Sequence, residues 1–533
     1  MHKEITMKIF RRITALCLAA CTTASMLTAC GDSYDITDYQ DADARTKFNT
    51  ALDFNKPLAG ADSQGQTFQW SGEAEDAKCV GNVKEQDVNF PGFSGRSYVG
   101  GFQNENDRIV FTVEIPADGV YTLSFSTCGG NANAAKKNPA LVDGASVGNI
   151  ITPVGNSFSQ CTVEGVYLTA GTHEIAAGTE WGYYFVDSLT ITNGMPISKD
   201  VYNITAGLSN PNACDNARRL YKFLTDCYGK YTITGQNCDG GIDGKEMEVI
   251  YKKTGEYPAM LGLDMMDYTP SRVHFGGAGK AADYALDFYC NHGGIVTFCW
   301  HWNAPEDYLI NSTEQPWYSG FRAEATTLNL DAIAEGSDTK GKELLIRDID
   351  AIAEAMKPLK DAQVPILWRP LHEASGGWFW WGNCKPESYL WLWNLLYDRL
   401  TNQHGLNNLI WVWNGQDPAW YPGDSTVDII GMDIYPPEHT YTSQSSTFAD
   451  MTQWTTENKI ITLTENGCMP DPDLLVRDGA MWSWFCTWGG EFIHDFGIAS
   501  EKYTELSMWE KVYKSEHTLS LSDLPCLWEY SLD

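Results

Sequence analysis

From about residue 200 onward the chain repeats one rhythm eight times: a short apolar run, a polar turn, then a longer connecting stretch. The runs fall at residues 231–235, 259–263, 295–300, 365–368, 409–413, 427–432, 460–464 and 482–488. In one of the gaps Leu345, Ile349, Ile352 and Met356 recur at i, i+4, i+7 and i+11, which is one face of a helix. Eight such strands joined by crossovers predict a (β/α)8 TIM barrel over residues 200–533. The gap between the fifth and sixth runs is too short for a regular helix, so one unit should be degenerate. The segment 303–340 is long for a loop and should carry extra structure over the barrel mouth.

Ahead of the barrel the period changes. Arg108-Ile-Val-Phe-Thr-Val-Glu114, Gly119-Val-Tyr-Thr-Leu-Ser-Phe125 and Phe185-Val-Asp-Ser-Leu-Thr-Ile191 alternate at period two, with turn signals such as Ala117-Asp118-Gly119 between them. That pattern predicts an all-β sandwich, jelly-roll-like, over residues 61–195. At the N-terminus Lys8, Arg11 and Arg12 precede a mostly apolar run that closes on Leu27-Thr28-Ala29-Cys30. This resembles a bacterial lipoprotein signal, with residues 1–29 removed, Cys30 lipidated, and residues 30–60 a polar spacer. The expectation is an exported, membrane-anchored lipoprotein, periplasmic or at the cell surface. No later stretch reaches the roughly 18 apolar residues of a membrane helix.

Lys and Arg number 37 against 69 Asp and Glu, a net charge of −32, which repels phosphate backbones and excludes nucleic acid as a partner. Twenty Trp and 26 Tyr either fill a large core or stand half exposed, where flat rings stack on the apolar faces of sugars. Of 15 cysteines, Cys17, Cys21 and Cys30 belong to the signal. The remainder form no Cys-x-x-Cys pair or zinc spacing, and should be mostly buried single thiols with one or two bridges.

In a barrel of this kind the reactive groups sit where strands end, on the C-terminal face. The fourth run leads into Trp368-Arg-Pro-Leu-His-Glu373 and then Gly376-Gly-Trp-Phe-Trp-Trp-Gly382, and the seventh into Leu463-Thr-Glu-Asn-Gly467. Two carboxylates on nearly opposite strands, set among aromatics, are what glycosidic hydrolysis needs: one acid for the leaving oxygen, one carboxylate on the other face.

With Trp300-His-Trp302, Trp411-Val-Trp413 and Gly431-Met-Asp-Ile-Tyr435, these motifs make residues 200–533 resemble glycoside hydrolase family 26, a retaining family dominated by β-mannanases. The resemblance implies Glu373 as general acid/base and Glu465 as nucleophile, with Tyr435 holding the nucleophile. It implies His372 touching the reacting sugar or orienting the carboxylates, and Trp378 stacking next to the cleavage point. His301 and Trp302 would line the glycone side, and Trp488 would be a platform at the reacting subsite. For Trp411 and Trp413 barrel packing is the preferred reading. No cofactor is needed for catalysis.

Residues 67–193 similarly resemble a family-35 carbohydrate-binding module, through Gly72-Glu-Ala-Glu-Asp76, Gly92-Phe-Ser-Gly95 and Phe185-Val-Asp187. That likeness implies a structural calcium on Glu73, Glu75 and Asp187, and a sugar-stacking Trp181; a spacer module is the alternative. The expected protein is a monomeric, lipid-anchored retaining endo-β-1,4-mannanase acting on mannan, glucomannan or galactomannan. The alternatives are the same mechanism on mixed-linkage β-glucan or β-1,3-xylan, and a non-catalytic glycan-binding lipoprotein.

Overall fold

A computed structural model of the protein describes residues 52–60, 67–86, 88–180 and 183–532, all within one compact unit. The signal segment with Cys30, and Trp181, lie outside the described residues. Among the described residues no helix is long and apolar enough to cross a membrane.

The N-terminal part is a sandwich of two antiparallel sheets. One contains β1 (Gln69–Glu73), β3 (Lys84–Glu85), β4 (Val99–Gly100), β6 (Gly119–Cys128), β9 (Ser159–Leu168) and β11 (Phe185–Asn193), in the order β3-β4-β11-β6-β9 with β1 also on β11. The other runs β2-β5-β10-β7-β8, formed by β2 (Lys78–Val80), β5 (Arg108–Ile115), β7 (Lys136–Val142), β8 (Ala145–Thr152) and β10 (Gly171–Ala177). Period-two alternation turns Ile109, Phe111, Val113 and Ile115 from one sheet and Leu123, Phe125, Leu189 and Ile191 from the other into a single buried core.

The C-terminal part is the barrel. Its strands are β12 (Thr232–Asn237), β13 (Met260–Asp264), β14 (Ile295–Cys299), β15 (Ile366–Arg369), β16 (Leu409–Trp413), β17 (Ile429–Ile434), β18 (Ile460–Asn466) and β19 (Trp484–Thr487). They pair in parallel in chain order, and β12 closes the ring between β19 and β13. In the helix Thr339–Asp361, Leu345, Ile349, Ile352 and Met356 are all buried, as their spacing predicts. The short gap after β16 holds only the 3-10 turns Pro418–Trp420 and Asp424–Thr426. The long segment after β14 carries three 3-10 turns and the short helix Leu330–Ala334.

Two expectations are corrected. Residues 52–60 are not free spacer: Leu52, Phe54 and Leu58 pack on the barrel core, Ala59 is buried in it, and Ala59 N–H donates to Gly229 O at 3.0 Å. Their apolar side chains recover surface from water that a polar tether would leave exposed. No disulfide joins Cys128, Cys161, Cys227, Cys238, Cys299, Cys468 and Cys486, which are buried as single thiols. They serve as small apolar residues in the packing.

The sandwich is docked on the barrel. Thr442 Oγ1 donates to Ser146 O at 2.7 Å and Ser445 Oγ to Gly165 O at 2.6 Å, while the Arg477 guanidinium sits 4.3 Å from the Tyr167 ring. The β8–β9 pair thereby rests on the helix Ser445–Met451, which follows β17 in the chain.

Candidate active site

β15 ends at Arg369 because Pro370 has no N–H to continue a ladder. Leu371 and Glu373 then both take left-handed backbone, each with φ 54°, which costs strain that the surroundings must hold. Glu373 N–H is anchored on the end of β16, donating to Asn414 O at 2.7 Å and Asn414 Oδ1 at 3.2 Å. On the loop that follows, Trp378 Nε1 donates to Glu373 Oε2 at 2.8 Å, and Trp381 Nε1 to His372 O at 2.8 Å.

Glu465 reaches the same place from β18. The β17–β18 register slips by one residue, so that Met432 faces Leu463 while Asp433 faces Glu465. A bulge of this kind re-aims the following side chain. Tyr435 O–H donates to Glu465 Oε2 at 2.6 Å, and Arg369 Nη2 donates to Glu465 Oε1. Arg369 is itself buried and its Nη1 also donates to Asp433 at 3.0 Å. Asp433 Oδ1 accepts from Asn414 Nδ2 at 2.8 Å and Thr464 Oγ1 at 2.6 Å. One carboxylate oxygen from each of Glu373, Asp433 and Glu465 lies within 4.8 Å of the other two.

Burial, together with the negative charges of Asp433 and Glu465, pushes the Glu373 carboxyl well above the usual carboxylate range, against the pull of the Trp378 hydrogen bond. Burial also raises Asp433, to about 7, despite the Arg369 charge. It keeps the Tyr435 phenol far above its ordinary range, so that it remains a donor. Glu373 is thus arranged to hold a proton. Glu465 is a carboxylate gripped by two donors.

The remaining expected residues divide. Trp378 is 46% exposed and offers a ring face at the mouth; Trp488 is half-buried, its ring 6.1 Å from His301. His301 and His372 are buried, with their Nε2 atoms 3.3 Å apart. Trp302 is corrected. It is fully buried, stacked on Trp300 at 4.1 Å, with Nε1 donating to Asp348 at 3.0 Å, and so it packs the barrel wall with no surface open at the mouth. Trp411 and Trp413 are fully buried, as the packing reading expects. Arg369, Asn414 and Asp433 were not singled out by the sequence, although Arg369 and Asp433 stand within the strand-end motifs and Asn414 ends the fifth strand.

In the sandwich, Glu73, Glu75 and Asp187 converge on the turn Ser94-Gly95-Arg96. Ser94 Oγ donates to Glu73 Oε2 at 2.8 Å, Ser94 N–H to Asp187 Oδ1 at 2.9 Å, and Arg96 N–H to Glu75 Oε1 at 2.7 Å. Gly95 is at φ 64°, and a Cβ there would meet the Glu75 carboxylate at 2.3 Å. Glu75 Oε2 is buried with no hydrogen-bond partner.

The family model for glycosyl hydrolase family 26 matches residues 209–521, well over half of the chain, and that for carbohydrate binding module family 35 matches residues 72–194. The chain belongs to glycoside hydrolase family 26. Among similar proteins, a mannan endo-1,4-beta-mannosidase of Thermothelomyces thermophilus is 39% identical over 468 residues, 88% of this chain and 92% of that protein. Mannan endo-1,4-beta-mannosidase B of Piromyces sp is 34% identical over 462 residues, covering 85% and 77%. The crystal structure of the Podospora anserina GH26-CBM35 beta-(1,4)-mannanase superposes with a TM-score of 0.60 at 37% identity, over 86% of this chain and 99% of that one. In this family 26 glycoside hydrolase the strand ends bring Glu373 and Glu465 together.

Proposed function

We propose that the protein is a retaining endo-β-1,4-mannanase acting on mannan, glucomannan or galactomannan by double displacement. The observation that carries this is the closeness of the two glutamates: one carboxylate oxygen of each lies within 4.8 Å of the other. Such closeness falls on the side of retaining sites, with roughly 5–5.5 Å between carboxyl groups, and not of inverting ones, whose about 6.5–9.5 Å leaves room for a water. Glu373 protonates the glycosidic oxygen while Glu465 attacks the anomeric carbon. With the glycosyl–enzyme formed, the charge on Glu465 is gone, the push on Glu373 weakens, and Glu373 takes a proton from the incoming water. Trp378, hydrogen-bonded to Glu373 and half exposed, stacks on the sugar beside the cleaved bond. Likeness to mannan endo-1,4-beta-mannosidases supports the polymer. The test is product analysis on a panel of mannan, galactomannan, mixed-linkage β-glucan and β-1,3-xylan. Internal cleavage of the mannans with retained configuration is expected, and cleavage of only the glucan or xylan would overturn the reading.

The sandwich is proposed as a glycan-binding module with a structural calcium on Glu73, Glu75 and Asp187. The support is the buried, unpartnered Glu75 Oε2 at a turn that Glu73 and Asp187 also hydrogen-bond, and hard carboxylate oxygens suit that ion. Calcium there would tie β1, the Ser94 turn and β11 together. Chelation of the full chain should lower its sandwich melting transition by several degrees and leave mannan hydrolysis intact below that transition, since a ligand of the folded state alone stabilises it by about 2.7 kcal/mol at 100 times its dissociation constant. A calorimetric trace unmoved by chelator removes the ion.

Export and lipidation at Cys30 rest on the N-terminal sequence alone, the relatives named above being fungal. Cys30→Ser should release the protein from the membrane fraction of an expressing bacterium. Equal membrane retention of that variant argues against the anchor.

A further inference from the structure

At the ends of β13 and β14 a buried carboxylate meets the two histidines of the site. Asp264 Oδ2 lies 2.6 Å from His301 Nδ1, while Asp264 Oδ1 accepts the backbone N–H groups of His301 at 3.1 Å and Met266 at 2.9 Å. On the far side of the ring, His301 Nε2 is 3.3 Å from His372 Nε2, the two rings standing at 84°. His372 is closed in by Phe379, Trp381 and His301, and is followed directly by Glu373 in its left-handed conformation. None of the roles described so far uses Asp264.

We propose that Asp264 is a positioning residue: it fixes His301 as the Nδ1–H tautomer, so that His301 Nε2 accepts the Nε2–H of His372 and locks the ring next to the acid. This rests on reading Glu373 as the acid. Donor counting decides the tautomer. Asp264 Oδ1 is committed to two N–H donors, so Oδ2 is the oxygen left for the imidazole. Burial opposes ionisation of Asp264, yet the His301 side chain and the His301 and Met266 N–H groups hold its carboxyl below the ordinary range, so it accepts and does not donate. The other neighbour of His301 Nδ1 is Cys299 Sγ at 4.0 Å, whose thiol burial keeps protonated and which competes poorly for the proton. Burial and the Arg369 charge drive His372 well below its usual range, so it is neutral and has one N–H to give. His372 Nδ1 is buried with no hydrogen-bond partner, so a proton there would have no acceptor; the ring's N–H is placed on Nε2, and His301 Nε2 can receive it only if that atom carries no proton. The carboxylate decides which nitrogen is bare, as the buried aspartate does in a Ser-His-Asp triad.

Asp264→Asn tests this. With the amide oxygen retained by the two backbone N–H groups, the amide NH2 faces His301 Nδ1 and forces the proton to Nε2, where it opposes His372. Side-chain 1H–15N spectra of the full-length protein should show His301 protonated on Nδ1 in the wild type and on Nε2 in Asp264→Asn. Misplacement of the acid should lower kcat on mannan by about 100-fold, with KM changed by less than about threefold, because the polymer's binding contacts stay in place. A wild-type spectrum with the His301 proton on Nε2 overturns the proposal, and does so even if the variant does not fold. So does an Asp264→Asn enzyme that keeps kcat within about threefold of wild type. The spectra need no substrate, so an enzyme inactive on mannan would sink the proposed activity and leave the tautomer result standing.

Discussion

Replacing Glu465 with alanine should lower turnover of mannan by at least about 10⁴-fold, the scale seen when a covalent nucleophile is removed, while the chain stays folded and still binds mannan. The fold survives because Arg369 has two carboxylate partners. Breaking a buried ion pair usually costs about 3–5 kcal/mol, since a bare charge is left behind. Here the guanidinium retains Asp433 at 3.0 Å, and Tyr435 faces the widened mouth, where its O–H can meet water. Isothermal titration with a mannan oligosaccharide beside reducing-end assays separates binding from turnover. Near-normal activity in Glu465→Ala would remove it as nucleophile.

The second large effect is at Glu373 and depends on the leaving group. Glu373→Gln should lower kcat/KM on mannan by about 10²–10⁴-fold, the usual worth of a positioned acid. The glycosylation step on an aryl β-mannobioside with a good leaving group should be nearly unchanged, since that oxygen needs no proton. External azide should rescue Glu373→Ala on the aryl substrate by attacking the glycosyl–enzyme, giving a β-mannosyl azide. In pH terms the sign is set by the direction of the shift. Burial and two neighbouring negative charges raise the Glu373 carboxyl, so activity holds while the group is protonated and falls as pH rises through its raised pKa. The limb belongs to the Glu373–Asp433–Glu465 set as a unit, and the Gln variant should flatten it. If the aryl substrate loses as much in glycosylation as mannan does, Glu373 is not the acid.

The barrel was legible because its apolar runs are short and recur eight times, with helical spacing in a gap between them, and because strand-end position then marks Glu373 and Glu465. Trp300-His-Trp302 shows where that legibility stops. Alternation says that His301 points opposite to its two neighbours, but not which side faces the mouth. The structure turns Trp300 and Trp302 together into the wall and gives the mouth to His301. Arg369, Asn414 and Asp433 were silent for a different reason: each acts through partners on other strands, and only the closed sheet brings those partners within hydrogen-bond reach. The segment 52–60 misled by composition, since three well-spaced apolar side chains suffice to seat it on the barrel.

The docking of β8 and β9 on the helix that follows β17 changes how a two-part enzyme meets a polymer. A module on a flexible tether lets its partner sweep a volume, and the local substrate concentration it confers declines gently with tether length. A module bolted down by Thr442, Ser445 and Arg477 has no such gradation. Either one polymer strand lies along both surfaces at once and its retention multiplies, or the geometry forbids it and the gain is nil. Insoluble mannan, whose neighbouring chains are held in register by the solid, can present a second strand at the fixed offset where a lone dissolved chain must bend to find it. For a sandwich that binds glycan as proposed, solubility of the substrate, more than its sugar content, would then govern how much it contributes.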